Sequence, residues 1–165
     1  MNKTLRIASI LTWINMIIWG LLCTFVLLAV LTSGSLAYFV VLVLPSAIVL
    51  HSYAALKLQK SIRNPAVPLN SQTPTGIRFI GFVALFIGIS NLISGFSIIQ
   101  NSREFLQQVQ SQMTPEMKQL HFTEAHMRAV GIITLLVGLC VSVNVVLNLR
   151  LLKWYILSRN NTNIP

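Results

Sequence analysis

The chain has 165 residues, of which 55% are apolar and only 9% charged, with twelve basic side chains against three acidic ones and a net charge of +9. A soluble domain of this size carries roughly 25% charged residues to cover its surface, so a water-soluble fold is excluded. The positive charge does not indicate nucleic acid, because the basic residues flank long apolar runs and build no basic-aromatic surface away from them.

Four runs reach the roughly 20 apolar residues that a helix needs to cross a bilayer: Ile7 to Thr32, Leu36 to Leu56, Phe79 to Gln100 and Ala129 to Leu149. Strands of alternating polarity, as a membrane barrel requires, are absent from the sequence. The expected fold is therefore an all-α integral membrane protein, a single four-transmembrane-helix bundle spanning residues 1–165. A cleaved leader ending near Ser35-Leu36-Ala37 is the weaker reading of the first run, which is too long for one and is followed at once by another span.

The loops set the expected orientation. Lys3, Arg6, Lys57, Lys60, Arg63, Arg78, Arg150, Lys153 and Arg159 fall on one side with no acid among them. Arg103, Lys118 and Arg128 share the other side with Glu104, Glu116 and Glu124. Basic residues stay in the cytoplasm, so both termini are placed there, in a plasma or inner membrane, and Trp154 and Tyr155 fall at an inner aromatic belt. The faint likeness between the two halves (Leu5-Arg6-Ile7 with Ile77-Arg78-Phe79) follows from this topology alone. The sequons at Asn2 and Asn160 fall on the side away from glycosylating enzymes.

The connections differ in kind. Thr32-Ser33-Gly34-Ser35 reads as a tight outer turn between neighbouring antiparallel spans. The inner loop, 57–78, holds Pro65, Pro68 and Pro74 and cannot be helical throughout; it reads as a connector, or as an extended strap or partner-binding strip. Pro45 should kink the second span. In the outer loop, 101–128, Phe105, Leu106, Val109 and Met113 share one helical face, which predicts a short amphipathic cap on the membrane or on the bundle. Thr114-Pro115-Glu116 signals a further helix start. Thr123 is the expected cap of the fourth span's helix, with Phe122 and Met127 spaced for a hydrophobic staple. The tail 150–165 is cytoplasmic, with Asn160 to Pro165 read as disordered.

Helices in lipid associate through small residues and polar contacts. Gly81, Ala84, Gly88, Asn91 and Gly95 form one small-residue seam on the third span, opposite Phe82, Phe86 and Ile89. Thr134, Gly138 and Ser142 form another on the fourth. Such seams pack within one chain or between copies.

Candidate chemistry is sparse. There is no Asp, and the three Glu lie in the outer loop, which speaks against a self-contained ion-coupled carrier and against a Ser–His–Asp hydrolase. No span carries a Lys or Arg near its centre, so a voltage sensor is also disfavoured. Cys23 and Cys140 are isolated in apolar runs and read as small buried hydrophobes. His51 is the only histidine in a span, so a haem held by two membrane histidines is unsupported. His121, Glu124 and His126 match no zinc spacing. No cofactor or metal is expected.

One pattern remains. Asn15, His51, Ser52, Asn144 and Asn148 lie at similar depth, roughly 9–14 Å inside the basic boundary at about 1.5 Å per residue for the deeper ones. Facing inward, they would make a polar layer open to the cytoplasm, either a ligand or proton site or a set of interhelical hydrogen bonds. The functional expectation is a non-catalytic accessory or assembly subunit that packs against another membrane protein or against copies of itself. The alternatives are a homo-oligomeric small-solute carrier or channel lined by this layer and, less favoured, a lipid-acting enzyme using His51 as base.

Overall fold

The computed structural model describes residues 2–34, 36–114 and 121–162, and the side chains of 3–34, 36–114 and 121–159. Among these residues the structure is all helical, with five helices in chain order: α1 (Asn2–Ser33), α2 (Leu36–Arg63), α3 (Thr73–Gln100), α4 (Ser102–Gln112) and α5 (Glu124–Thr162). α1, α2, α3 and α5 are long and apolar enough to cross a membrane. Ser35 of the expected turn, the helix start at Pro115-Glu116, Lys118 and residues 163–165 lie outside the described residues.

The helices outrun the apolar segments at their basic ends. α2 continues from Leu56 to Arg63, α3 begins at Thr73 rather than Phe79, and α5 continues from Leu149 to Thr162. Once a helix runs, each further residue adds a hydrogen bond, and no Pro or Gly interrupts the extensions of α2 and α5. Residues 160–162, expected to belong to a disordered tail, continue α5 for the same reason. With 39 residues, α5 is about 58 Å long against an apolar bilayer thickness of about 30 Å. Pro74 sits in the first turn of α3, where its missing N–H costs nothing, and α2 stays helical through a buried Pro45. α1 ends on Gly34, whose φ of 61° and N–H bond to the Val30 carbonyl (2.9 Å) make the left-handed cap that favours glycine.

The chain forms two compact units, Met1–Ile87 with Cys140–Pro165, and Gly88–Leu139. In the first, each helix buries one stripe. On α1 it is Leu5, Ala8, Thr12, Asn15 and Trp19; on α2 it includes Ile48, His51, Ser52, Ala55, Leu58 and Gln59. Alternating three- and four-residue steps keep such positions on one face. Leu5, Ala8, Leu58, Ile77, Leu151 and Leu152 form its apolar core. The inner loop is docked onto that core. Leu69 is buried in it and donates its N–H to the Tyr155 hydroxyl (3.2 Å), while Asn64 and Asn70 close side-chain turns onto the N–H groups of Ala66 and Gln72. Outward, α2 and α3 leave an apolar cleft of about 380 Å³ lined by Phe39, Leu42, Leu50, Phe79 and Val83 among others.

In the second unit, parts of α3 and α5 pack backbone to backbone. A Cβ on Gly138 would lie 2.8 Å from the Gly88 carbonyl and 2.8 Å from the Leu92 N. One on Gly95 would lie 2.6 Å from the Leu135 N, and one on Gly131 would lie 3.0 Å from the Gly95 carbonyl. This stretch of the seam is therefore closed within the chain. Gly131 belongs to it, whereas the Thr134 hydroxyl turns back to its own helix at the Val130 carbonyl (2.9 Å). Phe82, Phe86 and Ile89 are exposed, as expected for the opposite face.

On α4, Phe105, Leu106, Val109 and, just past its end, Met113 are half-buried, while most of the other residues are exposed. Its first residue, Ser102, donates to Glu124 Oε1 (3.0 Å) and accepts from Arg128 Nε (3.3 Å), and Arg128 reaches the same carboxylate oxygen at 2.9 Å. At the start of α5, the Thr123 N–H donates to His126 Nδ1 (3.1 Å) and the His126 N–H donates to Thr123 Oγ1 (3.4 Å). This is a capping box with histidine in the place of Glu or Gln. Phe122 stands edge-on to His126 at 6.1 Å, and Met127 is buried.

Two predictions follow from the second unit. Gly131→Ala or Gly138→Ala should destabilise the protein by about 1–3 kcal/mol in detergent unfolding, because backbone atoms cannot yield to the new methyl group. Gly20→Ala, with open space around it, should not destabilise. Separately, the Ser102 hydroxyl and then Arg128 hold the Glu124 carboxyl below its ordinary pKa. A depressed carboxylate contributes stability above its ordinary range and loses it as pH falls through the lowered value. Protection of the α4 amides, measured relative to the intrinsic exchange rate at each pH, should accordingly fall on acidification, and Glu124→Gln should remove that dependence whereas Glu104→Gln should leave it.

Candidate functional site

The polar residues of the helices gather in the first unit, where α1, α2 and α5 bring four side chains into a ring. Asn144 and Asn148, one turn apart on α5, face the same way. Asn148 Nδ2 donates to Asn144 Oδ1 (2.9 Å) and to the Asn144 carbonyl (2.8 Å). From α1, the Thr12 hydroxyl lies 2.8 Å from Asn144 Oδ1 and 2.7 Å from the Ala8 carbonyl. From α2, Gln59 Nε2 donates to Thr12 Oγ1 (3.0 Å) and to Asn148 Oδ1 (2.9 Å), using both amide protons. Every member of the ring is 0–2% exposed.

Asn15 stands one turn beyond Thr12 on α1, where its amide donates to the Cys140 carbonyl of α5 at 3.4 Å. The two contacts together pin α1 to α5 at successive turns. In surroundings without water an unpaired amide is costly, so each of these side chains selects the register in which the others satisfy it.

His51 and Ser52 lie apart from the ring, further along the α2 stripe. Both are fully buried. The His51 ring fills the space left by Gly81 of α3, where a Cβ would come within 3.1 Å of Cε1 and 3.2 Å of Nδ1. The ring also lies toward the Ile77 backbone, yet neither ring nitrogen nor Ser52 Oγ reaches a protein partner in hydrogen-bond geometry. The expected five-residue layer is therefore two features: a hydrogen-bonded ring that includes Asn144 and Asn148, in which only Gln59 Oε1 lacks a protein partner, with Asn15 beside it, and a buried His51–Ser52 pair without protein hydrogen bonds.

Thr12 and Gln59 are the residues that sequence reasoning missed. Gln59 lies past Lys57, which had marked the end of the second span. Its signal is its spacing from Ser52 and Ala55, three and four residues apart, and Thr12 shares the corresponding spacing with Ala8 and Asn15. Elsewhere, Glu124 and His126 are engaged with Ser102, Arg128 and Thr123, and among the described residues no three metal-binding side chains converge.

Replacing Asn148 by Leu removes its two helix-linking contacts, to Gln59 and to Thr12, and should lower the unfolding free energy in mixed micelles by about 1–2 kcal/mol. Thr24→Val, which loses only a hydroxyl bonded to its own helix, should change it by less than about 0.5 kcal/mol.

Comparison with protein-family models, with curated proteins and with solved structures yields no match to this chain, so the functional reading rests on the chemistry of these residues.

Proposed function

We propose that this chain is a small multi-pass membrane protein with a non-catalytic role, an accessory or assembly subunit that packs against partners in the bilayer. In this reading α1, α2, α3 and α5 form a four-helix bundle with both termini in the cytoplasm, and α4 lies as an amphipathic cap on the outer side. The observation that carries it is the closed ring of Thr12, Gln59, Asn144 and Asn148. Polar side chains bonded to one another across three helices hold those helices in place, and of the four only the Gln59 Oε1 atom lacks a protein partner. The outward faces are rich in large apolar residues such as Phe25, Leu31, Phe79 and Phe86, suited to lipid and to the apolar faces of other membrane helices.

His51 and Ser52 favour a second reading. Buried polar groups without protein partners are where a membrane protein binds a solute or a proton, so a carrier or channel assembled from copies of this chain would work there.

The two readings separate in one experiment. Tagged protein is withdrawn from its native membrane in mild detergent, and its native mass and partners are determined. The accessory role predicts a stoichiometric second protein and no solute movement by the pure chain in liposomes. A homo-oligomer without a partner, with liposome flux abolished by His51→Ala, would overturn it in favour of the carrier.

A further inference from the structure

At the basic end of α5 a cleft of about 440 Å³ is lined by Thr4, Leu147, Arg150, Leu151 and Trp154. The four α5 residues follow at three-, four- and seven-residue spacings, so they share one face of the helix. That face combines apolar (Leu147, Leu151), cationic (Arg150) and aromatic (Trp154) side chains within about 10 Å of helix, with Leu147 at one end and Trp154 at the other. Thr4 adds a hydroxyl from the first turn of α1.

Among the described residues the ion pair is Arg128 with Glu124, and Arg150 is in none. The three acids of the chain are Glu104, Glu116 and Glu124, and Glu124 is engaged by Arg128. Nine basic residues stand in the segments at the ends of the apolar runs that carry no acid at all. A second cleft, with Ser61, Pro65, Tyr155 and Arg159 in its lining, borders the same Trp154.

We propose that the Thr4–Arg150–Trp154 cleft binds one anionic phospholipid. The guanidinium of Arg150 and the hydroxyl of Thr4 hold the phosphate, Trp154 lies beside the head group beyond it, and an acyl chain runs along Leu147. A planar guanidinium matches phosphate oxygens with paired N–H donors. Tryptophan is the residue of the membrane interface, and basic clefts between membrane helices take anionic lipid heads. A free phosphate would engage Arg150 and Thr4 but leave the apolar half of the same cleft unused, which is why the lipid is the better occupant. The inference rests on the chain lying in a bilayer with its basic ends toward an anionic leaflet.

The test is native mass spectrometry of protein released from nanodiscs made of equal parts phosphatidylglycerol and phosphatidylcholine. Wild-type protein should retain phosphatidylglycerol in preference to phosphatidylcholine. Arg150→Gln should reduce that retention about fivefold, the worth of one cation near an anionic surface. Lys153→Gln removes an equal charge three residues away from an exposed side chain that does not line the cleft, and it should have a clearly smaller effect. Excess inorganic phosphate should not displace the lipid. Equal retention of the two lipids by the wild type would overturn the proposal without any variant. So would equal effects of Arg150→Gln and Lys153→Gln, which would indicate diffuse attraction, and so would displacement by inorganic phosphate, which would assign the cleft to the bare anion. Failure of the protein to enter nanodiscs at all would instead overturn the membrane reading on which the proposal rests.

Discussion

An amide buried away from water must find its partner inside the protein, and the ring of Thr12, Gln59, Asn144 and Asn148 is organised by that constraint. Apolar side chains alone set helix position weakly in a bilayer, because lipid tails solvate Leu and Phe as well as a neighbouring helix does. Directional contacts then decide the register. Sliding α1 against α5 by one turn would separate Thr12 from Asn144 and Asn15 from the Cys140 carbonyl together. Gln59 ties α2 to both helices through its two amide protons. The glycines of the second unit meet the same requirement by another route. There the backbones come so close that Gly95, Gly131 and Gly138 admit no side chain, and van der Waals contact over that stretch takes the place of hydrogen bonds.

The architecture was legible because a bilayer simplifies the code. Length and apolarity identify the four long helices directly, and the Gly81–Gly88–Gly95 repeat, with its seven-residue period, marked the packed face of α3 before any coordinates. Gly131 and Gly138 repeat the same period on α5, a match that overlapping small-residue pairs at Thr134 and Ser142 obscured. Helix ends were less legible. Charge marks where an apolar run stops, but helix continues past charge until proline or glycine intervenes, as at Lys57 to Arg63. That offset hid Gln59, and with it the centre of the polar ring. The docking of Leu69 beneath the proline-containing loop was not legible at all, since a single leucine among polar and proline residues has no period to betray it.

His51 shows where register and chemistry part. Apart from Ser52, its neighbours on the α2 stripe are apolar or hydrogen-bonded, and Gly81 leaves just the volume that the imidazole fills. A phenylalanine or leucine could occupy a comparable volume without burying two nitrogens, and packing alone therefore gives no reason for a histidine there. The ring residues answer one another, so their polarity is accounted for by the fold; the polarity of His51 and Ser52 is not. Because the ring closes without them, α1, α2 and α5 keep their hydrogen-bonded register whether or not His51 gains a partner. A change of partner or protonation at His51 would then act on the α2–α3 contact at Gly81, where the imidazole is tightly seated, and would leave the Thr12–Asn144 linkage in place. The same chain can in this way hold a fixed three-helix frame and carry one adjustable contact beside it.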